Sequence, residues 1–185
     1  MYSEDRELVH DVLSGEVEAL TRLVKKYNSM AGAISFGICG DFQNADDFVQ
    51  EAFLKAYYSL RNLKDPGKFK VWFAGIVRSK AIDFIRQRKK FWSLSQDSSL
   101  GYSDFEAYST ESVEDLLLRE EFRGKLLDAI RSLPEEHRLI VTLKHMEGLS
   151  YKEISEIMGT TVSAVESRLF RARSTLRKKL DHILR

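Results

Sequence analysis

A chain of 185 residues with 43% apolar and 31% charged residues has the material for one or two folded domains, which excludes wholesale disorder. Ten glycines and two prolines are too few breaks for a many-turned β-sandwich, so the fold class expected is all-α. Cys39 is the only cysteine; one chain can form neither a disulfide nor a cysteine zinc site, and a reducing cytosol fits. His10, His137, His145 and His182 include no HExxH pair, which excludes a zincin. The start Met1-Tyr2-Ser3-Glu4-Asp5-Arg6 has no basic segment leading into an apolar run, so no signal peptide is expected. No apolar run approaches the ~18 residues of a membrane span. The expected location is cytoplasmic, without direct membrane insertion.

Net charge is +1, but charge is segregated along the chain. Residues 61–92 hold ten Lys/Arg against two acids, a net +8. Residues 93–122 hold eight acids against Arg119, a net −7, and residues 163–185 carry a net +5. Two basic blocks around an acidic one fit two contacts with a polyanion, or equally two solvated helix faces.

Helical spacing covers most of the chain. A first helix is expected over 4–14, ending at Ser14-Gly15. A second spans 16–40, with Leu20, Leu23, Val24, Tyr27 and Ile34 on one face and Gly37 and Gly40 weakening its end. Asn44 offers an N-cap for a third helix over 45–62, whose first turn holds Asp46 and Asp47, where the helix dipole favours acids. Lys64-Asp65-Pro66-Gly67 marks a turn, and a fourth helix over 69–89 ends in Arg86-Gln87-Arg88-Lys89-Lys90. Residues 91–112 have no sustained period and read as a flexible acidic linker. Extended, its 22 residues reach roughly 70–80 Å at ~3.3–3.6 Å each, about two turns of duplex DNA.

Three more helices complete and a fourth closes the second half. Val113–Leu133 forms one; Pro134 stands as an N1 proline for the next, with Glu135 and Glu136 in its first turn. Ser150 and Glu153 fit a capping box ahead of a short helix that stops at Gly159. The last helix places Val162, Val165, Leu169, Ala172, Leu176, Leu180 and Ile183 along one face, with Arg168, Arg171, Arg177 and Lys178 opposite. The domains expected are 1–90 and 113–185, joined by 91–112.

Residues 149–173 therefore carry a helix-turn-helix pattern, in which one helix packs across the other and aims the second at the major groove. Thr161, Ser163, Ala164, Glu166, Ser167, Arg168 and Arg171 lie where such a helix meets base edges and phosphates. Arg can bond a guanine edge bidentately and Glu can accept from a cytosine amino group. An ordinary helical hairpin with a basic face is the plainer reading. In residues 57–92, aromatic rings alternate with cations: Tyr57, Tyr58, Phe69, Trp72, Phe73, Phe91 and Trp92 among Arg61, Lys64, Lys68, Lys70, Arg78 and Lys80. Rings and cations together suit single-stranded nucleic acid, although a core role for the rings fits as well. Asp46, Asp47, Val49, Gln50, Glu51 and Phe53 fall on an amphipathic helix with no catalytic geometry. No phosphate-binding glycine loop, acid dyad, metal-ligand spacing or catalytic residue is found, and no cofactor is expected.

The ordered motifs Asp47-Phe48-Val49-Gln50-Glu51-Ala52-Phe53, Phe69-Lys70-Val71-Trp72-Phe73, Ile76-Val77-Arg78 and Ala81-Ile82-Asp83-Phe84-Ile85-Arg86 are followed by Leu133-Pro134-Glu135-Glu136, Glu147-Gly148-Leu149-Ser150-Tyr151-Lys152-Glu153-Ile154 and Val162-Ser163-Ala164-Val165-Glu166-Ser167-Arg168-Leu169-Phe170-Arg171-Ala172-Arg173. This order resembles a bacterial RNA polymerase sigma factor of the extracytoplasmic-function group, over nearly the whole chain. The resemblance implies that residues 1–90 are the second sigma domain and 113–185 the fourth. It implies docking on core polymerase (the beta-prime clamp helices and the beta flap), with Asp46, Asp47, Val49, Gln50, Glu51 and Phe53 on the clamp. It assigns promoter melting at the minus-ten element to Tyr58, Arg61, Lys64, Lys68, Phe69, Lys70, Trp72, Arg78, Ser79 and Lys80. The minus-thirty-five element falls to Thr161, Ser163, Ala164, Glu166, Ser167, Arg168 and Arg171, the acidic linker to the RNA path of the polymerase cleft, and control to an anti-sigma factor. Ser79 stands where the family often has Asn, and Glu166 where it often has Lys, so the captured base and the upstream sequence stay open. A stand-alone helix-turn-helix regulator is the alternative reading.

Overall fold

The computed structural model describes residues 4–40, 45–92 and 113–183, and within them every regular element is helical. The expected cap Asn44 and all but the start of the expected linker lie outside the described residues. Helix α1 spans Glu4–Leu13, α2 Val17–Cys39, α3 Ala45–Ser59 and α4 Phe69–Trp92. Helix α5 spans Val113–Arg131, α6 Glu135–His145, α7 Tyr151–Met158 and α8 Val162–Ile183. Short 3-10 turns at Leu60–Asn62 and Pro66–Lys68 join α3 to α4.

In the first bundle α2 is the central helix, with α1, α3 and α4 around it. Its buried face includes Leu23, Tyr27, Met30, Ile34 and Ile38, the 3-4 spacing expected of a core stripe. The Tyr27 hydroxyl donates to Asp5 at 2.6 Å, and Lys26 bridges Glu4 and Asp5 at 2.6 and 2.8 Å, which ties α1 across α2. Burial, and then the Asp5 contact, push the Tyr27 hydroxyl well above its ordinary pKa. Tyr27, Phe53, Phe69 and Phe73 form a ring cluster with centroids 4.4 to 6.2 Å apart.

The second bundle turns on α6, which packs against α8, α7 and α5. Pro134 is the N-cap of α6 rather than its first helical residue, with ψ at 144°. Glu135 and Glu136 still occupy the first turn, where their charge meets the helix dipole. The stripe of α8 buries Val165, Leu169 and Ala172. Val162 does not follow it: this first residue of α8 is 41% exposed, because the helix starts clear of the core surface that the next turns cover.

The two bundles share one core. Helix α2 crosses α6 in the most extensive helix contact among the described residues, and α4 meets α7. Gly37 is the crossing point: a Cβ there would sit 2.8 Å from the Leu139 Cα and from the Thr142 hydroxyl. Its role is close approach, whereas the sequence reading took it for a weak helix end. Gly40 ends α2 in the left-handed region at φ 74°, its N–H donating to the Phe36 carbonyl at 2.7 Å.

Candidate nucleic-acid interface

The turn between α7 and α8 is built by local chemistry. Ser150 accepts from the Glu153 N–H at 3.2 Å, and the Glu153 carboxylate accepts from the Ser150 N–H at 2.9 Å, completing the capping box. Gly159 closes α7 at φ 63°. The Thr161 hydroxyl accepts from the Ala164 N–H at 3.2 Å and so starts α8. Of the residues expected to face DNA, Ser163, Glu166, Ser167 and Arg171 are exposed, and Ala164 and Arg168 are half-buried. The Arg168 guanidinium lies 3.3 Å from the Glu136 carboxylate. Among the described residues Glu166 has no ion-pair partner, and its carboxylate is exposed.

Beside this helix lies an open cleft of about 600 Å³, lined by Tyr151, Glu166, Ser167, Leu169, Phe170, Arg171 and Arg173. Phe170 is 75% exposed and was not singled out from the sequence. Its signal was there: it falls one residue after Leu169, off the apolar stripe, so a folded α8 must turn it outward. An apolar ring among base-reading side chains can contact a thymine methyl. His145 lies 3.4 Å from the guanidinium of Arg173, which also lines this cleft. Burial, then Arg173 and Lys144, hold its imidazole below the ordinary value.

The second basic block folds around the turn at Asp65. The Asp65 carboxylate accepts from the Gly67 N–H and from Arg6, both at 3.0 Å. This sets a cleft of about 700 Å³ lined by Asn62, Leu63, Lys64, Asp65, Lys68, Val71, Trp72 and Glu156. Tyr58, Arg61, Lys64, Lys68 and Ser79 are exposed; Trp72 and Arg78 are half-buried. Phe69 is buried at 2% exposure within the ring cluster, so the structure separates two rings that sequence treated alike. Lys70 and Lys80 are each paired with a carboxylate of the chain, Lys70 with Glu153 of α7 and Lys80 with Glu51 of α3 at 2.7 Å. Lys70, then the Ser150 N–H, pull the Glu153 carboxyl down to about 2.

On α3, Asp47, Gln50 and Glu51 form an exposed acidic face. Val49 is buried and Phe53 stacks on Phe73 at 4.4 Å; these two hold the helix in place and do not present themselves outward. The Asp46 side chain lies outside the described residues. Among the described residues no cluster of His, Cys, Asp and Glu could hold a metal ion, and no helix is long and apolar enough to cross a membrane.

Two family models match the chain: Sigma-70 region 2 over residues 19–91 and Sigma-70, region 4 over residues 123–176. The RNA polymerase sigma-H factor of Pseudomonas aeruginosa is 34% identical, covering 98% of this chain and 96% of that protein. The ECF RNA polymerase sigma-E factor of Escherichia coli K12 is 33% identical over 98% of this chain and 96% of its own length. A solved structure of CnrH in complex with the cytosolic domain of CnrY is similar at 27% identity and TM-score 0.67, covering 96% of this chain and 97% of that one.

Proposed function

The chain belongs to the sigma-70 family of RNA polymerase sigma factors, in its extracytoplasmic-function group, and we propose that its two basic faces divide promoter recognition between them. As a sigma factor it joins core polymerase and directs promoter-specific initiation; sigma factors are not themselves enzymes. The proposal concerns which residues do this. Residues 1–90 serve as the polymerase-binding and minus-ten domain, 91–112 as the linker, and 113–185 as the minus-thirty-five domain. The bond-forming chemistry and its metal belong to the polymerase.

The observation that carries this reading is the outward set Ser163, Glu166, Ser167, Phe170 and Arg171 on a helix whose start is fixed by the Thr161 hydroxyl, packed after an α7 that opens with a complete capping box. Such a helix presents its N-terminal half to the major groove. Glu166 has the same negative charge as the phosphates and cannot bind them, so its exposed place beside Arg171 supports base reading, most simply of a cytosine amino group. Trp72, Lys64 and Lys68 around the second cleft supply the stacking face and cations that a flipped base needs, with Tyr58, Arg61, Arg78 and Ser79 along the strand's path. Phe69 supports this loop from beneath. The acidic face of Asp47, Gln50 and Glu51 docks on the beta-prime clamp, with Asp46, Val49 and Phe53 completing or supporting that helix, and the second bundle reaches the beta flap.

Control by a protein partner fits the same surfaces. The CnrH structure holds the cytosolic domain of a second protein, and we assign to this chain an anti-sigma factor that covers the α3 face and the helix-turn-helix together. A cytoplasmic location accompanies work with the polymerase. The test mixes the chain with core polymerase and a promoter library. Specific transcripts that require both are expected; tight duplex binding without core, and no transcripts with it, would replace this reading with a stand-alone regulator.

A further inference from the structure

We propose that Arg138 is a latch that holds the free chain closed, with both DNA-reading faces on one compact body that cannot engage both promoter elements. The proposal rests on the two-element reading above and adds a regulatory state to it. The Arg138 guanidinium, half-buried, makes four hydrogen bonds to backbone carbonyls. Nε donates to Gly37 at 2.9 Å and Nη2 to Ile38 at 2.7 Å, both at the C-terminal end of α2 in the first bundle. Nη1 donates to Arg131 at 2.8 Å and Leu133 at 3.2 Å, where α5 of the second bundle ends. One cation therefore bonds the carbonyls at two helix ends, each the negative pole of its dipole. Separating the bundles takes the guanidinium away from α2 and leaves those carbonyls to water.

Three further contacts close the same seam. Gly37 lets the backbones of α2 and α6 touch, Ser29 donates to Glu147 at 2.6 Å, and Lys70 pairs with Glu153. The last contact places a minus-ten residue against the capping box of the upstream reader. Two promoter elements roughly 25 base pairs apart lie about 85 Å apart along the duplex at ~3.4 Å per base pair. Helix α8, with 22 residues, is about 33 Å long at ~1.5 Å per residue, and α7 beside it touches α4. A body of that size cannot bridge the two elements, so initiation must part α2 from α6, and the free chain's affinity falls by the fraction that is open.

The experiment uses the full chain and two variants, Arg138→Met, which keeps the stem and loses the donors, and Gly37→Leu, which wedges the crossing. Small-angle scattering should give the wild type a radius of gyration of about 16 Å, the value for one compact 185-residue body. Both variants should rise above about 20 Å with helicity unchanged. Native helicity with an unchanged radius in both overturns the latch. Unfolding of both also overturns it, because a latch needs bundles that stay folded when parted; if one unfolds, the other decides. With core polymerase and a promoter carrying both elements, Arg138→Met should reach half-maximal transcription at about tenfold lower concentration if one chain in ten is open at rest. An equal or higher requirement overturns the inhibitory role. Absence of core-dependent transcripts from wild type and variant alike refutes the sigma assignment instead, while the scattering still judges the latch.

Discussion

Phe69 and Trp72 are three residues apart with ring centroids at 5.8 Å, yet their replacement by alanine should fail in different ways. Phe69 is 2% exposed and touches Tyr27, Trp72 and Phe73. Phe→Ala in such a site costs ~3–5 kcal/mol, against a total stability of ~5–15 kcal/mol. At ~2–4 °C per kcal/mol for a chain of this size, the melting temperature should fall by roughly 6–20 °C. Trp72 is half-buried and lines the open cleft beside Lys64 and Lys68; its loss should remove about half as much stability. Its exposed face is the one available for stacking, worth ~1–3 kcal/mol per base, so Trp72→Ala should slow promoter melting by about 5- to 150-fold. Permanganate footprinting of holoenzyme on a promoter, run beside thermal melts of the free chain, reads both quantities. The reasoning is refuted if Trp72→Ala melts as low as Phe69→Ala while promoter opening keeps its normal rate.

Reversing Asp47 and Glu51 to Lys should weaken core polymerase binding in a titration while leaving helicity intact; the Glu51–Lys80 pair at the surface contributes only ~0–1 kcal/mol. The Glu153 carboxyl, held down to about 2 by Lys70 and the Ser150 N–H, should make stability depend on acid. Its folded value lies below its unfolded one, so the contribution is complete above the ordinary 4.5 and is lost as pH falls from there through about 2; Lys70→Met should flatten that part of the urea-midpoint profile. Promoter selection with Glu166→Lys should change preference at one or two adjacent upstream positions; an unchanged preference with uniformly tighter binding means that Glu166 only balanced surface charge.

Much of the second bundle was legible because its signals are local. The capping box, Gly159 and the stripe of α8 lie within a few residues of what they determine; the first two take the form expected, and the stripe does so over Val165, Leu169 and Ala172. Errors of one position occurred at helix starts: Pro134 as cap rather than first residue, and Val162 outside the stripe. There the pattern has no preceding turn to fix its phase. The seam between the bundles was not legible. Gly37 looks like a helix breaker until Leu139 arrives beside it, and Arg138 looks like one more solvated cation until α2 ends against it, 100 residues away in sequence for Ile38. A period describes a helix face; it carries no information on which distant backbone that face meets. The same limit separated Phe69 from Trp72, since a turn with rings on it reads identically whether a ring points in or out.

Three cations assigned to DNA already have carboxylate partners: Lys70 with Glu153, Lys80 with Glu51 and Arg168 with Glu136. These pairs do not by themselves keep the chain off its promoter. Each has at least one partner well exposed, with 38%, 59% and 63% of the carboxylate side chains open to solvent, so each is worth ~0–1 kcal/mol and weakens with salt. A phosphate replaces the carboxylate charge for charge, and release of the counterions condensed on DNA drives the exchange. What such pairs supply is orientation: they hold long side chains near the direction a phosphate will occupy and limit the rotamer entropy lost on binding. Arg138 differs in kind. Its four partners are backbone carbonyls at two helix ends, held in a half-buried seam, and hydrogen bonds to a charged group are worth ~1.5–3 kcal/mol each. The two bonds to α2 therefore outweigh any one surface pair. The step that DNA cannot drive by charge exchange is the parting of α2 from α6, and the energy for it must come from another surface. The acidic α3 face, open to solvent and following shortly in sequence on the end of α2 that Arg138 holds, is the face we propose for core polymerase, and docking there can supply it.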